Sequence, residues 1–369
     1  MESKQFNRNS NIELLRMICM FVIILHHSVL YGGGALEQPA SINLIIANLF
    51  YIGGKFGANC FMAISAYFLI DSKFKVQKVI SVWKHTFFYG LTFFLLNTIL
   101  HFKAVGVGDI LEVVFPISYK AYWYVTAYVA IILLSPFINN LINRLIEKQY
   151  KYLIFVLLIL VTLPVTFLPK AKPYYDESHV LLFVLIYFII GFYKKGYIKN
   201  SKGLSIGFII IGFSWLIFSS LAIILLGAFL ENSTIIHYST FWMNGESLPM
   251  IMAAIGVTIF VLEHPSRSNK YINSCAKGSF DIYLFHMNHF VYEWLWSVAF
   301  PIKMLLSKKL FPIYDILIGV LVFSLALFIG ILRCNIFKII ESNVRVQFID
   351  NLEIKINNIF NNKGDGYNE

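Results

Sequence analysis

The sequence predicts an all-α polytopic membrane protein of about ten transmembrane helices, with both termini in the cytoplasm. Three observations carry this expectation. The 369 residues are 58% hydrophobic and 14% charged, against about 45–50% and about 25% in soluble domains. The apolar residues gather in runs long enough to cross a hydrocarbon core of about 30 Å, where only helices and closed barrels satisfy the backbone. The lysines and arginines also alternate along the chain. With a cytoplasmic N-terminus, the segments that fall inside hold about three times as many as those that fall outside. The formal charge of +10 is thereby assigned to topology, and the expected partner is membrane lipid rather than nucleic acid.

The expected spans are 12–31, 45–70, 82–101, 122–142, 152–168, 179–193, 204–230, 248–263, 279–300 and 313–334. They form one membrane domain, residues 1–334, followed by a cytoplasmic juxtamembrane tail, 335–369, read as an amphipathic piece and then polar disorder. The modest external loops are Gly32–Asn43, Phe102–Ala121, Lys170–Ser178 and Glu231–Ser247. No internal repeat is visible, and the first apolar run lacks an A-x-A-like cleavage site, so it reads as a span. Cys19, Cys60, Cys275 and Cys334 show no metal spacing and read as free structural thiols.

The first span carries Glu13, Arg16, His26 and His27. Ionisable groups in a bilayer are costly and mark working sites. Eleven residues at about 100° each make three turns plus roughly 20°, so Arg16 and His27 share one face, roughly 16 Å apart along the axis. Arginine suits phosphate or carboxylate, and histidine suits proton transfer near neutral pH. His26, about 100° away from His27, cannot face the same cavity and reads as structural. Glu13 lies three residues before Arg16 and can pair with it.

The second span clusters small residues at 53, 54, 57, 58, 63, 65 and 66, which lets another helix approach closely. Lys55 and Asn59 share one of its faces and either line an aqueous pocket or, for Lys55, snorkel to the outer surface. The fourth span opens Tyr122-Trp123-Tyr124, an aromatic belt or a flat surface for a sugar ring. The stretch 237–249, with Trp242 and Glu246, is a plausible outer rim. In the ninth span His286, His289 and Glu293 follow i, i+3, i+7 and are expected on one interior face. A zinc site there lacks a third ligand and the i, i+4 spacing, so no metal is expected.

Four segments in order resemble the acyltransferase-3 family of membrane O-acyltransferases, over essentially the whole chain. They are Glu13-x-x-Arg16 with ten residues between Arg16 and His27, similar to the family's Arg-x10-His signature; Phe61-Met-Ala-Ile-Ser65-Ala-Tyr-Phe-Leu, similar to FFxISGFL with Ala66 in place of the usual glycine; Tyr122-Trp123-Tyr124 with Ser135-Pro136; and Ser279-Phe-Asp-Ile-Tyr283-Leu-Phe-His286, similar to SYxIYLxH. The resemblance implies transfer of an acyl group, usually acetyl, from cytoplasmic acyl-CoA to a hydroxyl of a cell-surface glycan or its lipid-linked precursor, in a bacterial plasma membrane. No tightly bound cofactor is expected. No esterase-like domain of the kind fused to some members is expected, so the acyl group is expected to reach its acceptor directly or through a separate glycan-assembly protein. His27, as general base on the acceptor hydroxyl or as a transient acyl carrier, and Arg16 are the expected catalytic residues, with Glu13, Ser65, Trp123, Tyr283 and His286 around the substrates. A transporter or exporter of a glycan or small anion is the alternative; a glycan polymerase would want a larger external loop.

Overall fold

The computed structural model describes residues 8–32, 39–101, 103–168, 179–341 and 347–361. The expected loop Lys170–Ser178 and the tail beyond Asn361 lie outside the described residues, as does the middle of the loop Gly32–Asn43. Among the described residues the chain is helical, with no strand. The helices are α1 (Ser10–Tyr31), α2 (Ile42–Ile70), α3 (Val76–Leu100), α4 (Val107–Val114), α5 (Trp123–Arg144), α6 (Glu147–Val161), α7 (Leu163–Phe167), α8 (Val180–Lys194), α9 (Ser201–Phe229), α10 (Ser233–His237), α11 (Leu248–Leu262), α12 (Lys270–Cys275), α13 (Ser279–His286), α14 (Tyr292–Trp294), α15 (Ile302–Leu306), α16 (Phe311–Glu341) and α17 (Gln347–Asn361).

Seven helical stretches among the described residues are long and apolar enough to cross a membrane: α1, α2, α3, α5, α9, residues 233–262 and α16. The protein is a polytopic, all-α membrane protein. Local chemistry sets the helix ends. The Asn9 side chain accepts from Asn11 N–H to start α1, and Ser41 accepts from Leu44 N–H to start α2. The expected fifth span breaks at Thr162 into α6 and α7, because Pro164 has no N–H to continue the ladder.

The ninth span departs from the expected single helix. Its first helix ends at His286, because the Asn288 side chain accepts from Phe290 N–H at 3.0 Å and turns the chain, and helix resumes only at Tyr292 in α14. His286, His289 and Glu293 therefore do not share a helix face.

The loops gather at two ends. At one end Ser10 N–H donates to the Arg267 carbonyl at 2.7 Å, Ser201 donates to Glu263 at 2.6 Å, and Lys194 pairs with Asp71. The helix α17 docks at this end: Asn357 donates to the Phe74 carbonyl at 2.9 Å, and Glu353 accepts from Gln77 N–H at 3.0 Å. At the other end Asn43 donates to the Leu306 carbonyl at 2.6 Å, and Trp242 donates to the Thr166 carbonyl at 2.9 Å.

Two apolar cores form between these ends. One joins α2, α5, α6, α8 and α11 around Ile131, Phe183 and Tyr187; the other joins α1, α3, α13 and α16 around Ile24, Tyr89 and Leu284. The helices α1 and α2 meet closely through the small residues of α2. A Cβ at Gly54 would stand 2.3 Å from the His26 ring, and one at Gly53 would stand 2.4 Å from the Val22 carbonyl.

Candidate functional site

A cavity of about 380 Å³ lies where the two cores meet, walled by α1, α2, α3, α5 and α13. The helix α1 presents Arg16, Met20, Ile23 and His27 to it, the i, i+4, i+7, i+11 stripe that the 3.6-residue period puts on one face. The helix α2 runs back along α1, so Ser65 falls at the level of Arg16, and Gly54 and Lys55 fall at the level of His26 and His27. Trp123, Tyr124 and Tyr128 from α5 and Tyr283 from α13 complete the wall. Arg16, Lys55, Ser65 and Trp123 keep partial exposure.

Of the residues singled out in the sequence, Arg16, His27, Ser65, Trp123 and Tyr283 line the cavity. Glu13 and His286 stand one layer behind, each holding a lining residue. Arg16 Nη1 donates to both Glu13 carboxylate oxygens, at 3.1 and 3.2 Å, while its guanidinium sits 5.7 Å from the Phe68 ring centre. Glu13 is buried, and Arg8 approaches it to 4.0 Å from the other side.

The pair His27–His286 has a legible proton order. His286 Nδ1 lies 2.6 Å from the Ile282 carbonyl, which can only accept, so Nδ1 carries the hydrogen. The neutral ring then offers a lone pair at Nε2. His27 Nδ1 lies 2.9 Å from that Nε2 and must donate to it. The basic nitrogen left on His27 is therefore Nε2. Both rings are buried.

His26 corrects another expectation. Its Nδ1 donates to the Tyr51 carbonyl at 2.6 Å and its ring packs on Gly54, which fits a structural role. Yet it lines the same cavity as His27, because that space extends around α1 from α2 to α13 and is wide enough to meet side chains about 100° apart.

The remaining residues of the ninth segment look elsewhere. His289 sits between Asp109 (3.0 Å) and Glu112 (3.1 Å) of α4, and Glu293 is exposed. The Gly106 N–H donates to Asp109 at 2.7 Å and, with His289, holds that carboxyl below the usual aspartate range. His286 and His289 thus face different partners, and among the described residues no three His, Cys, Asp or Glu side chains converge as a metal site.

Sequence reasoning missed three arrangements. Arg333 is buried and makes a two-point contact with the buried Asp281, through Nε and through Nη2 (3.1 Å). Asp315, in the interior of the bundle, accepts from Ser28 Oγ at 2.9 Å. His179 meets Glu246 and Lys55 at the end of the cavity away from Arg16. The last had a signal, an ionisable residue within one apolar segment and one at the edge of each of two others, but no spacing rule joins positions 55, 179 and 246.

Residues 9–333 match the model of a family described as an acyltransferase domain, of the acyltransferase-3 type. No curated protein and no solved structure matches the chain.

Proposed function

The chain belongs to the acyltransferase-3 family and is a membrane acyltransferase; from that premise we propose that it moves an acyl group, acetyl in the first instance, from cytoplasmic acyl-CoA to a hydroxyl of a cell-surface polysaccharide or its lipid-linked precursor. The reading places it in a bacterial plasma membrane, where the acceptor arrives alone or from glycan-assembly proteins.

The observation that carries this reading is the chain of hydrogen bonds from the Ile282 carbonyl through His286 to His27. It fixes the ring orientation of His27 and leaves Nε2 as a general base. In the step we propose, the acceptor hydroxyl gives its proton to His27 Nε2 while its oxygen bonds to the thioester carbonyl carbon. The C–S bond then breaks, and the thiolate of coenzyme A takes the proton back from Nε2. The positive charge on His27 in between is shared with His286 through the Nδ1–Nε2 contact.

Arg16, oriented by Glu13, holds an anionic or carbonyl oxygen of the donor. Tyr283 lines the cavity, and its buried hydroxyl beside the Tyr124 backbone is the group we assign to donate to the oxygen that becomes negative during attack. Ser65 completes the polar wall beside Tyr124 and Tyr128.

Loss of a general base costs a factor of about 10²–10⁴. His27→Ala should lower acyl transfer to surface glycan by that amount while the protein accumulates normally. The check is the acyl content of the glycan, by mass and NMR, in cells carrying each form, with label from acetyl-CoA followed in membranes that hold no gradient. Near-normal acylation by His27→Ala would remove the assignment.

A further inference from the structure

The outer end of the cavity holds a second cation, Lys55, which the steps above leave unused. Its ammonium lies 3.3 Å from His179 Nε2 and 4.3 Å from the centre of the Trp123 ring. His179 Nδ1 in turn contacts the Glu246 carboxylate, and Glu246 is buried. The order of donors is fixed. The carboxylate accepts from Nδ1–H, so Nε2 is an acceptor, and Lys55 donates to it.

The rest of the cluster is held with similar care. Asn59 Nδ2 donates to the Gly245 carbonyl at 2.9 Å, which pins the Glu246 loop over α2; a Cβ at Gly245 would stand 3.6 Å from Lys55 Cδ. His179 takes a left-handed backbone, φ 54°, a conformation that non-glycine residues hold only where the surroundings enforce it. An ammonium inside a membrane domain is costly, and an arrangement serving only the fold would enclose it. Lys55 instead lines the cavity.

Lys55 and Arg16 mark opposite ends of one space, with His27 at the level of Lys55. Arg16 lies toward the end where the chain concentrates its lysines and arginines, and Lys55 lies roughly 16 Å of helix rise away, toward the end that is poor in them. An ammonium has three N–H donors. One goes to His179 and the Trp123 face takes another, which leaves a donor for the cavity. The charge of Lys55 is already balanced by Glu246 through the imidazole, so a second anion at this point would stand close to a buried carboxylate in a poorly solvated setting. An uncharged oxygen meets no such opposition.

Resting on the acyl-transfer reading, we infer that Lys55, held by His179 and Glu246, binds the acceptor: it donates to a hydroxyl or ring oxygen of an uncharged sugar unit and so presents a neighbouring hydroxyl to His27. His179 and Glu246 are positioning residues, and Trp123 supplies the apolar surface beside them.

The test reads donor and acceptor separately in wild type, Lys55→Met and Lys55→Gln. Acetyl-CoA binding is read as the rise it gives in the unfolding midpoint of the purified protein. Acceptor use is read as the acyl content of surface glycan in cells that carry each form. Lys55→Met, whose midpoint falls because the buried Glu246 loses its counter-charge, should keep the acetyl-CoA shift and lose about tenfold or more of the glycan acylation per accumulated molecule, the value of one hydrogen bond from a charged donor. Lys55→Gln, which keeps an N–H but no charge, should retain part of it, and the acylated unit should be an uncharged sugar.

Unchanged acylation per accumulated molecule in Lys55→Met, or a lost acetyl-CoA shift in that variant, overturns the inference. So does a uronate or phosphate-bearing acylated unit, or complete loss in Lys55→Gln with the fold intact. If Lys55→Met does not accumulate, Lys55→Gln decides alone: partial acylation supports the inference and full acylation ends it. If acetyl-CoA fails to shift the wild-type protein, the donor assignment falls, and the glycan arm still decides whether Lys55 serves the acceptor.

Discussion

Two arginine–carboxylate pairs sit inside this bundle, and their surroundings make them different objects. Arg16 and Glu13 lie three residues apart on α1, with the Arg16 side chain 25% exposed and lining the cavity. Arg333 and Asp281 join α16 to α13, with side chains 5% and 1% exposed and no part in that cavity. The first pair turns one end of a guanidinium toward a carboxylate and leaves the group at the edge of a space that a ligand can enter. The second satisfies both partners against each other and clamps the helix that carries Tyr283 and His286. An ionised group within a membrane segment therefore marks either a site or a brace, and the neighbouring void decides which.

The largest effect that would sharpen this contrast is on the brace. Asp281→Ala leaves a buried guanidinium without its counter-ion, and breaking a buried pair this way costs about 3–5 kcal/mol. The expected outcome is a steep fall in accumulation and in unfolding midpoint. A variant that stays stable but loses activity would put the pair on the wrong side of the comparison. Arg16→Ala should do the reverse. Loss of a charge-assisted contact is worth roughly 1.5–3 kcal/mol, so acyl transfer should drop about 10- to 100-fold. The unfolding midpoint should stay close to that of the unaltered protein, as partly exposed pairs contribute little.

Gly54→Ala probes the seam between α1 and α2. The new methyl meets the His26 ring, and overpacking of this kind costs about 1–3 kcal/mol, read as a lower midpoint with His27 chemistry retained per folded molecule. The smallest effect belongs to Asp109, outside the spans. Its carboxyl is held below the usual aspartate value of 3.8, chiefly by the Gly106 N–H and then by His289. The sign follows from the depressed value: the contribution is present above pH 3.8 and is lost as pH falls through the lower folded value. Asp109→Asn should cost no more than about 1 kcal/mol at neutral pH and flatten the acid limb of the stability curve.

Much of the site is legible in the order of the amino acids. The 11-residue interval puts Arg16 and His27 on one face because a helix in lipid has few alternatives to regular geometry. The small residues of the second span announce a close helix contact, and Gly54 on His26 is that contact. The ninth segment misleads for a specific reason. Its periodic polar stripe assumes unbroken helix, while Asn288 offers the backbone a competing hydrogen bond and ends the helix at His286. The expectation that His26 and His27 cannot share a cavity assumes a narrow one.

The order of residues alone establishes that this chain is a helical membrane protein, which family pattern it carries, and which face of its first helix bears a guanidinium and an imidazole. The first and last are properties of composition and period, and the family pattern rests on four short local segments; each is written in residues close together along the chain. The pairing of His27 with His286, the bridge from Lys55 through His179 to Glu246, and the burial of Asp281 against Arg333 join positions 259, 124 and 67, and 52 residues apart. Only the packing of helices brings such groups within hydrogen-bonding reach, because the partner of each lies on an element whose distance no local rule encodes.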